Sequence, residues 1–107
     1  MSWTVSYLDE IVEQEIAELS NDIRAKLRRI ADMIEQLGLA GMREPYVKHL
    51  QGKLWEMRMI GRDGIARAIY VTVSGQRVVI VRAFRKKTQK TPRSEIELAL
   101  KRAEQIA

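Results

Sequence analysis

Two hydrophobic periods share this chain, and one gives way to the other near residue 50. Ile23, Leu27, Ile30, Ile34 and Leu37 recur at spacings of four, three, four and three, which is the stripe of an amphipathic helix. Leu8, Ile11, Val12, Ile16 and Leu19 form a shorter stripe ahead of it, with Asp9 and Glu10 suited to its first turn. Ser20-Asn21-Asp22 separates the two and supplies cap candidates, and Gly38 is placed to end the second helix. So short a join predicts an antiparallel helix pair.

From residue 54 the period is two. Trp55, Met57 and Met59 share one face of a strand over 54–60, with Glu56 and Arg58 on the other. Gly61-Arg62-Asp63-Gly64 and Ser74-Gly75 are turn signals that separate this strand from strands over 65–73 and 77–84. Two short turns predict an antiparallel meander. The near-continuous apolar run in 77–84 predicts an interior strand covered on both faces. At the start, Ser2–Tyr7 alternates Trp3, Val5 and Tyr7 with polar residues and reads as one more strand. Residues 38–53, punctuated by Gly38, Gly41, Pro45 and Gly52, read as loop. Thr91 reads as an N-cap and Pro92 as the first residue of a last helix, striped by Ile96, Leu100, Ala103 and Ile106. The predicted class is α+β in the order βααβββα, one domain over residues 1–107.

The charge is concentrated. Residues 48–93 hold 12 Lys/Arg against Glu56 and Asp63, while residues 1–47 carry a net charge of −4. A basic half on a small domain predicts a polyanionic partner, nucleic acid first. With no cysteine and a single histidine, a disulfide framework, a Cys-ligated zinc site and a thiol nucleophile are excluded, and neither a metal nor a cofactor is expected. No Gly-rich phosphate loop is present. No apolar run nears the roughly 18 residues of a membrane span, and Met1-Ser2-Trp3-Thr4 lacks a secretory layout. A cytoplasmic protein without membrane contact is the expectation.

The remaining chemistry lies in cations on strands. Arg58 shares a face with Glu56, Arg67 interrupts an apolar strand, and Arg82, Arg85, Lys86 and Lys87 follow on the next. An arginine among apolar residues must be paired or face a wet cleft. If these strands are neighbours, the cations converge. Guanidinium groups grip phosphate oxygens, and a lysine among like charges is depressed toward general-base range. Such a set suits metal-free cleavage of RNA, with the ribose 2′-hydroxyl as nucleophile. Phosphate binding alone is the simpler alternative.

Leu50-Gln51-Gly52-Lys53-Leu54-Trp55-Glu56-Met57-Arg58 resembles the L-x-x-G-L-W-E-L-R segment of HigB-like toxins, in the RelE/ParE superfamily of toxin–antitoxin systems. Arg67-Ala68-Ile69-Tyr70 is similar to their arginine-bearing strand, and residues 83–92 to their F-x-K-K-T-x-K-T-P signature. The resemblance implies a RelE-like antiparallel sheet with two helices ahead and one behind. It also implies a toxin that cleaves mRNA on the ribosome, held in a hetero-oligomer by a cognate helix-turn-helix antitoxin. The motif positions carried over are Glu56, Arg58, Arg67, Lys86 and Lys87. On this reading Arg58, Arg67, Lys86 and Lys87 are catalytic, with Lys86 or Lys87 as base, and Glu56 orients. Lys53, Arg82, Arg85 and Lys90 contact RNA. Two departures stand out: Arg82 replaces a histidine common in these toxins, and Lys53 separates Gly52 from Leu54. Proton transfer then falls to a lysine, Glu56, Tyr70 or His49. The alternative within the superfamily is a ParE-like toxin that inhibits DNA gyrase without cutting RNA.

Overall fold

The computed structural model describes residues 3–42, 46–62, 64–87 and 90–106. The expectations for Ser2, Pro45, Asp63, Thr88 and Gln89 lie outside the described residues. The chain runs β1 (Thr4–Tyr7), α1 (Glu10–Ala17), α2 (Asn21–Leu37), a 3-10 turn (Leu39–Gly41), β2 (Val47–Gln51), β3 (Leu54–Ile60), β4 (Ile65–Val73), β5 (Arg77–Lys86) and α3 (Arg93–Ala103). The strands form one sheet in the order β1-β5-β4-β3-β2. The α+β class and the order of helices follow the sequence patterns.

Two features of the sheet differ from expectation. Val47–Gln51, read as loop, is a fifth strand, antiparallel to β3 through the Gly52-Lys53 turn, where Gly52 has φ 56. It is a five-residue edge strand of mostly exposed polar residues; edge strands are commonly kept short and charged, which leaves little apolar alternation to read. The sheet is also mixed. β1 pairs parallel with β5, Thr4 opposite Arg77 and Tyr7 opposite Ile80. No tight turn joins these two strands, so hairpin geometry does not set their direction.

The helix stripes and strand faces meet as two cores. Val12 of α1 and Ile23, Leu27, Ile30 and Ile34 of α2 pack on Met57, Met59, Ala66, Ala68, Tyr70, Val78 and Ile80. On the reverse face Ala99 and Ala103 of α3 pack on Ile69, Val71, Val79, Val81 and Phe84. β4 and β5 are therefore covered on both faces, as the apolar run in β5 requires. Asp9 caps α1, its side chain accepting from the Val12 amide at 3.1 Å. Gly38 ends α2 with φ 78, and a side chain there would press on the Trp3 indole.

Trp55 departs from its expected core position. It is 40% exposed, tilted against the His49 ring at 4.9 Å between centroids. Its strand neighbours Met57 and Met59 lie under α2, whereas Trp55 borders a cleft lined, among the described residues, by Leu39 and Ala40 of the 3-10 turn and by Met42.

Candidate active site

α3 packs on the reverse face over β4 and β5, and Leu54 at the start of β3 and Leu50 of β2 join that core. Farther along β3, and at Lys48 of β2, the same face carries charge. Alternation on β3 turns Glu56 and Arg58 to it, and alternation on β4 turns Arg67 the same way. The register sets Arg58 directly opposite Arg67, Lys48 opposite Glu56, and Arg67 opposite Phe84, two residues before Lys86. Lys48, Arg58, Arg67 and Lys86 thus surround Glu56 from four strands.

Glu56 and Arg67 are each 3% exposed. Arg67 Nε lies 3.2 Å from Glu56 Oε2, close enough for an ion pair but without the alignment of a hydrogen bond. Arg67 Nη1 donates to the Ala66 carbonyl at 3.3 Å. Arg58 Nε lies 3.8 Å from the same Glu56 oxygen. Burial pulls the Arg67 guanidinium below its ordinary pKa; the Glu56 charge pushes it back up, and Arg58 pulls it down again. An arginine so placed stays charged. Lys86 is also lowered, first by burial, then by the positive charges of Arg67, Arg58 and Lys48, against the opposing pull of Glu56. Four cations face one carboxylate, so the site has a surplus of positive charge and draws an anion rather than a metal ion.

The site residues expected from the sequence divide. Glu56, Arg58, Arg67 and Lys86 come together on one face. Lys87 follows the end of β5, exposed, Lys53 is exposed in the β2–β3 turn, and Lys90 is exposed ahead of α3. Arg85 turns to the opposite face, opposite Ala66, with its guanidinium against Gly64. Tyr70 and His49 also belong to that opposite face. Burial pushes the Tyr70 hydroxyl up to about 12, and His49 Nε2 is 2.7 Å from the Gly52 carbonyl. Neither can move a proton beside Glu56.

Arg82 is held away from the cluster by two carboxylates. Its Nη1 lies 2.8 Å from Glu15 Oε2 of α1, and its Nε and Nη2 donate to Glu95 of α3 at 2.6 and 3.1 Å. Arg102 joins the same Glu15 at 2.8 Å. These side chains close the edge of β5 beyond the end of β1: the Ala83 amide donates to Glu15 Oε1 at 3.2 Å, and Arg102 donates to the Val81 carbonyl at 2.9 Å. Burial alone would raise the Glu15 carboxyl. The Arg102 and Ala83 hydrogen bonds and the Arg82 charge outweigh it and hold the group below its ordinary 4.5. Glu15→Ala is expected to lower unfolding free energy by about 2–3 kcal/mol, since charged hydrogen bonds are lost and Ala83 is left unpaired. The Glu15 contribution is full above pH 4.5 and falls as pH drops through the lowered folded value. Urea denaturation of both proteins at pH 7 and pH 3 checks this, because the difference should narrow in acid.

Sequence reasoning missed two members. Lys48 faces Glu56 across the β2–β3 pair, which alternation would have shown had 47–51 been read as a strand. Thr91, read as a helix cap, instead donates from Oγ1 to Glu56 Oε1 at 2.6 Å. Pro92 takes the cap position, its carbonyl accepting from the Glu95 and Ile96 amides. Adjacent boundary positions at a helix end are interchangeable within a residue.

The family model described as Phage derived protein Gp49-like (DUF891) matches residues 14–104, from α1 through α3 and across all of the charged face. The chain belongs to that family. No curated protein matches this Gp49-like chain. Among solved structures it is similar to a double arginine-to-alanine mutant of the E. coli toxin RelE in the free state. There the TM-score is 0.61 and identity 13%, with 100% of each chain covered. It is also similar to the archaeal RelE–RelB complex from Pyrococcus horikoshii, with a TM-score of 0.58 and 21% identity over 79% of this chain and 96% of that one. At such identities the likeness is one of fold: this Gp49-like chain has the RelE fold. Among the described residues no helix is long and apolar enough to cross a membrane.

Proposed function

We propose that this chain is the toxin of a toxin–antitoxin pair, of the HigB-like kind, and that it cleaves mRNA on the ribosome without a metal ion. The observation that carries the reading is the direct opposition of Arg58 and Arg67 across β3 and β4. Like charges placed opposite each other destabilise a sheet, and here one carboxylate serves both. A platform built at that cost is suited to an incoming phosphate. The RelE fold and the family's phage-derived character support the toxin reading, and the RelE–RelB complex supports an antitoxin partner for this chain.

Lys86, in its neutral form, takes the proton of the ribose 2′-hydroxyl. The 2′-oxygen attacks the neighbouring phosphorus, and Arg58 and Arg67 stabilise the charge on the non-bridging oxygens. The bond from phosphorus to the 5′-oxygen breaks, that oxygen takes a proton from water, and Lys86 returns its proton to solvent. The products are a 2′,3′-cyclic phosphate and a 5′-hydroxyl. Lys53 in the β2–β3 turn, Lys87 after β5 and Lys90 ahead of α3, all exposed, hold flanking phosphates.

Purified protein added to a translating extract is expected to cut the mRNA, and mapping should find 5′-hydroxyl ends. Ends bearing 5′-phosphate and 3′-hydroxyl would reject the internal-attack chemistry. Intact mRNA alongside inhibited gyrase supercoiling would reject the nuclease altogether.

A further inference from the structure

Thr91 is tied to the charged face although the helix it precedes does not need it. Its hydroxyl donates to Glu56 Oε1 at 2.6 Å, while the α3 cap is made by the Pro92 carbonyl. The two carboxylate oxygens thereby have separate duties. Oε1 is committed to Thr91, and Oε2 alone meets Arg67 and Arg58. A carboxylate with both oxygens available would close on an arginine as a two-pronged pair. Here the pair is one-pronged: Arg67 Nε lies 3.2 Å from Oε2 alone, and Nη1 donates to the Ala66 carbonyl instead. The backbone around Thr91 is stiff. A residue before proline is confined to extended conformations, and Pro92 has φ −59. The hydroxyl is therefore delivered from a fixed point at the base of α3.

We propose that Thr91 is a positioning residue of the active site: by occupying Glu56 Oε1 it keeps the Arg67 guanidinium from closing on both carboxylate oxygens, so that the guanidinium can also meet the scissile phosphate. The proposal rests on the nuclease reading for its catalytic consequence. Its structural half, control of Arg67 through Glu56, stands on the Thr91 hydrogen bond and the Arg67 ion pair.

Thr91→Val removes the donor and keeps the shape, and Thr91→Ser restores the donor. Two readouts are needed. The first is the Nε–Hε resonance of Arg67 in proton–nitrogen spectra of the whole chain. It is expected to move in Thr91→Val and return in Thr91→Ser. The second is single-turnover mRNA cleavage on programmed ribosomes, expected to fall about tenfold in maximal rate with half-saturation little changed, and to recover in Thr91→Ser. A residue that merely capped α3 would lower the melting temperature in Thr91→Val and leave both readouts in place, overturning the proposal. An unmoved Arg67 resonance also overturns it, as does a moved resonance with undiminished cleavage. If the unaltered chain cuts no mRNA, the nuclease reading falls with the catalytic half, and the resonance still decides the structural half.

Discussion

Arg67→Met is expected to reduce mRNA cleavage by about 10²–10³-fold, the usual effect of deleting a donor to transition-state charge. The same change is expected to lower the protein's stability by about 3–5 kcal/mol, because breaking a buried ion pair from one side leaves the other charge stranded. Glu56 would be that stranded charge. It is 3% exposed, and with Arg67 gone the ion pair that the described residues still show for it is with Arg58, at 3.8 Å. Loss of activity in the single variant is therefore ambiguous between catalysis and unfolding. The double variant Arg67→Met/Glu56→Gln separates them. Neutralising both members removes the stranded charge, so most of the stability should return, and cleavage should not. Chemical denaturation and single-turnover cleavage on the same preparations give the comparison. A double variant that cuts at the normal rate would remove Arg67 from the chemistry. A single variant as stable as the starting protein would mean that the pair is not buried in solution.

The charged face is largely legible in the sequence. Alternation placed Glu56 and Arg58 together on β3, and the anomaly of an arginine inside 65–73 marked Arg67, because a charge amid apolar neighbours demands a reason. What brings them to one spot is register, which periodicity does not contain. The bulge in the β4–β5 pair shows the difficulty. Ile69 faces Arg82 but Tyr70 faces Ile80, so the extra residue near Val81 shifts every later side chain of β5. Lys86 thereby shares a face with Arg67, Arg85 points to the other side, and Arg82 is turned to the strand edge between α1 and α3. A uniform strand over 77–87 continues the phase of Val79 and Val81, which would put Arg85 and Lys87 on the Arg67 face and turn Arg82 and Lys86 away. Lys48 was hidden because an edge strand gives a weak pattern, and Thr91 because a threonine before Pro92 satisfies the local rule for a cap. Its actual partner is 35 residues away, and local rules do not reach that far.

Lys86→Ala is the second variant expected to have a large effect, a fall of about 10²–10⁴-fold in cleavage if its amine is the base. Lys86→Arg tests the role rather than the charge. It keeps a cation beside Arg67 but one that does not release its proton, so it should be nearly as inactive as Lys86→Ala. A well-cutting Lys86→Arg variant would move the base elsewhere and leave Lys86 as a phosphate contact. The pH dependence supplies an independent mark. Burial and the Arg67, Arg58 and Lys48 charges lower the Lys86 pKa below 10.5. The cleavage rate should therefore rise with pH until that lowered value is passed, and both variants should lose this limb. Stability must follow the opposite ledger from a paired lysine. Between the lowered folded value and 10.5 the unfolded chain holds a proton that the folded chain has released, so stability climbs with pH across that window. Below the window Lys86 is charged in both states and its crowding by like charges is felt in full. Lys86→Ala is accordingly expected to melt no lower than the starting protein at neutral pH, with any advantage shrinking as pH rises through the window. A site that becomes more stable when Lys86 is removed is one in which the lysine is held against its own charge preference.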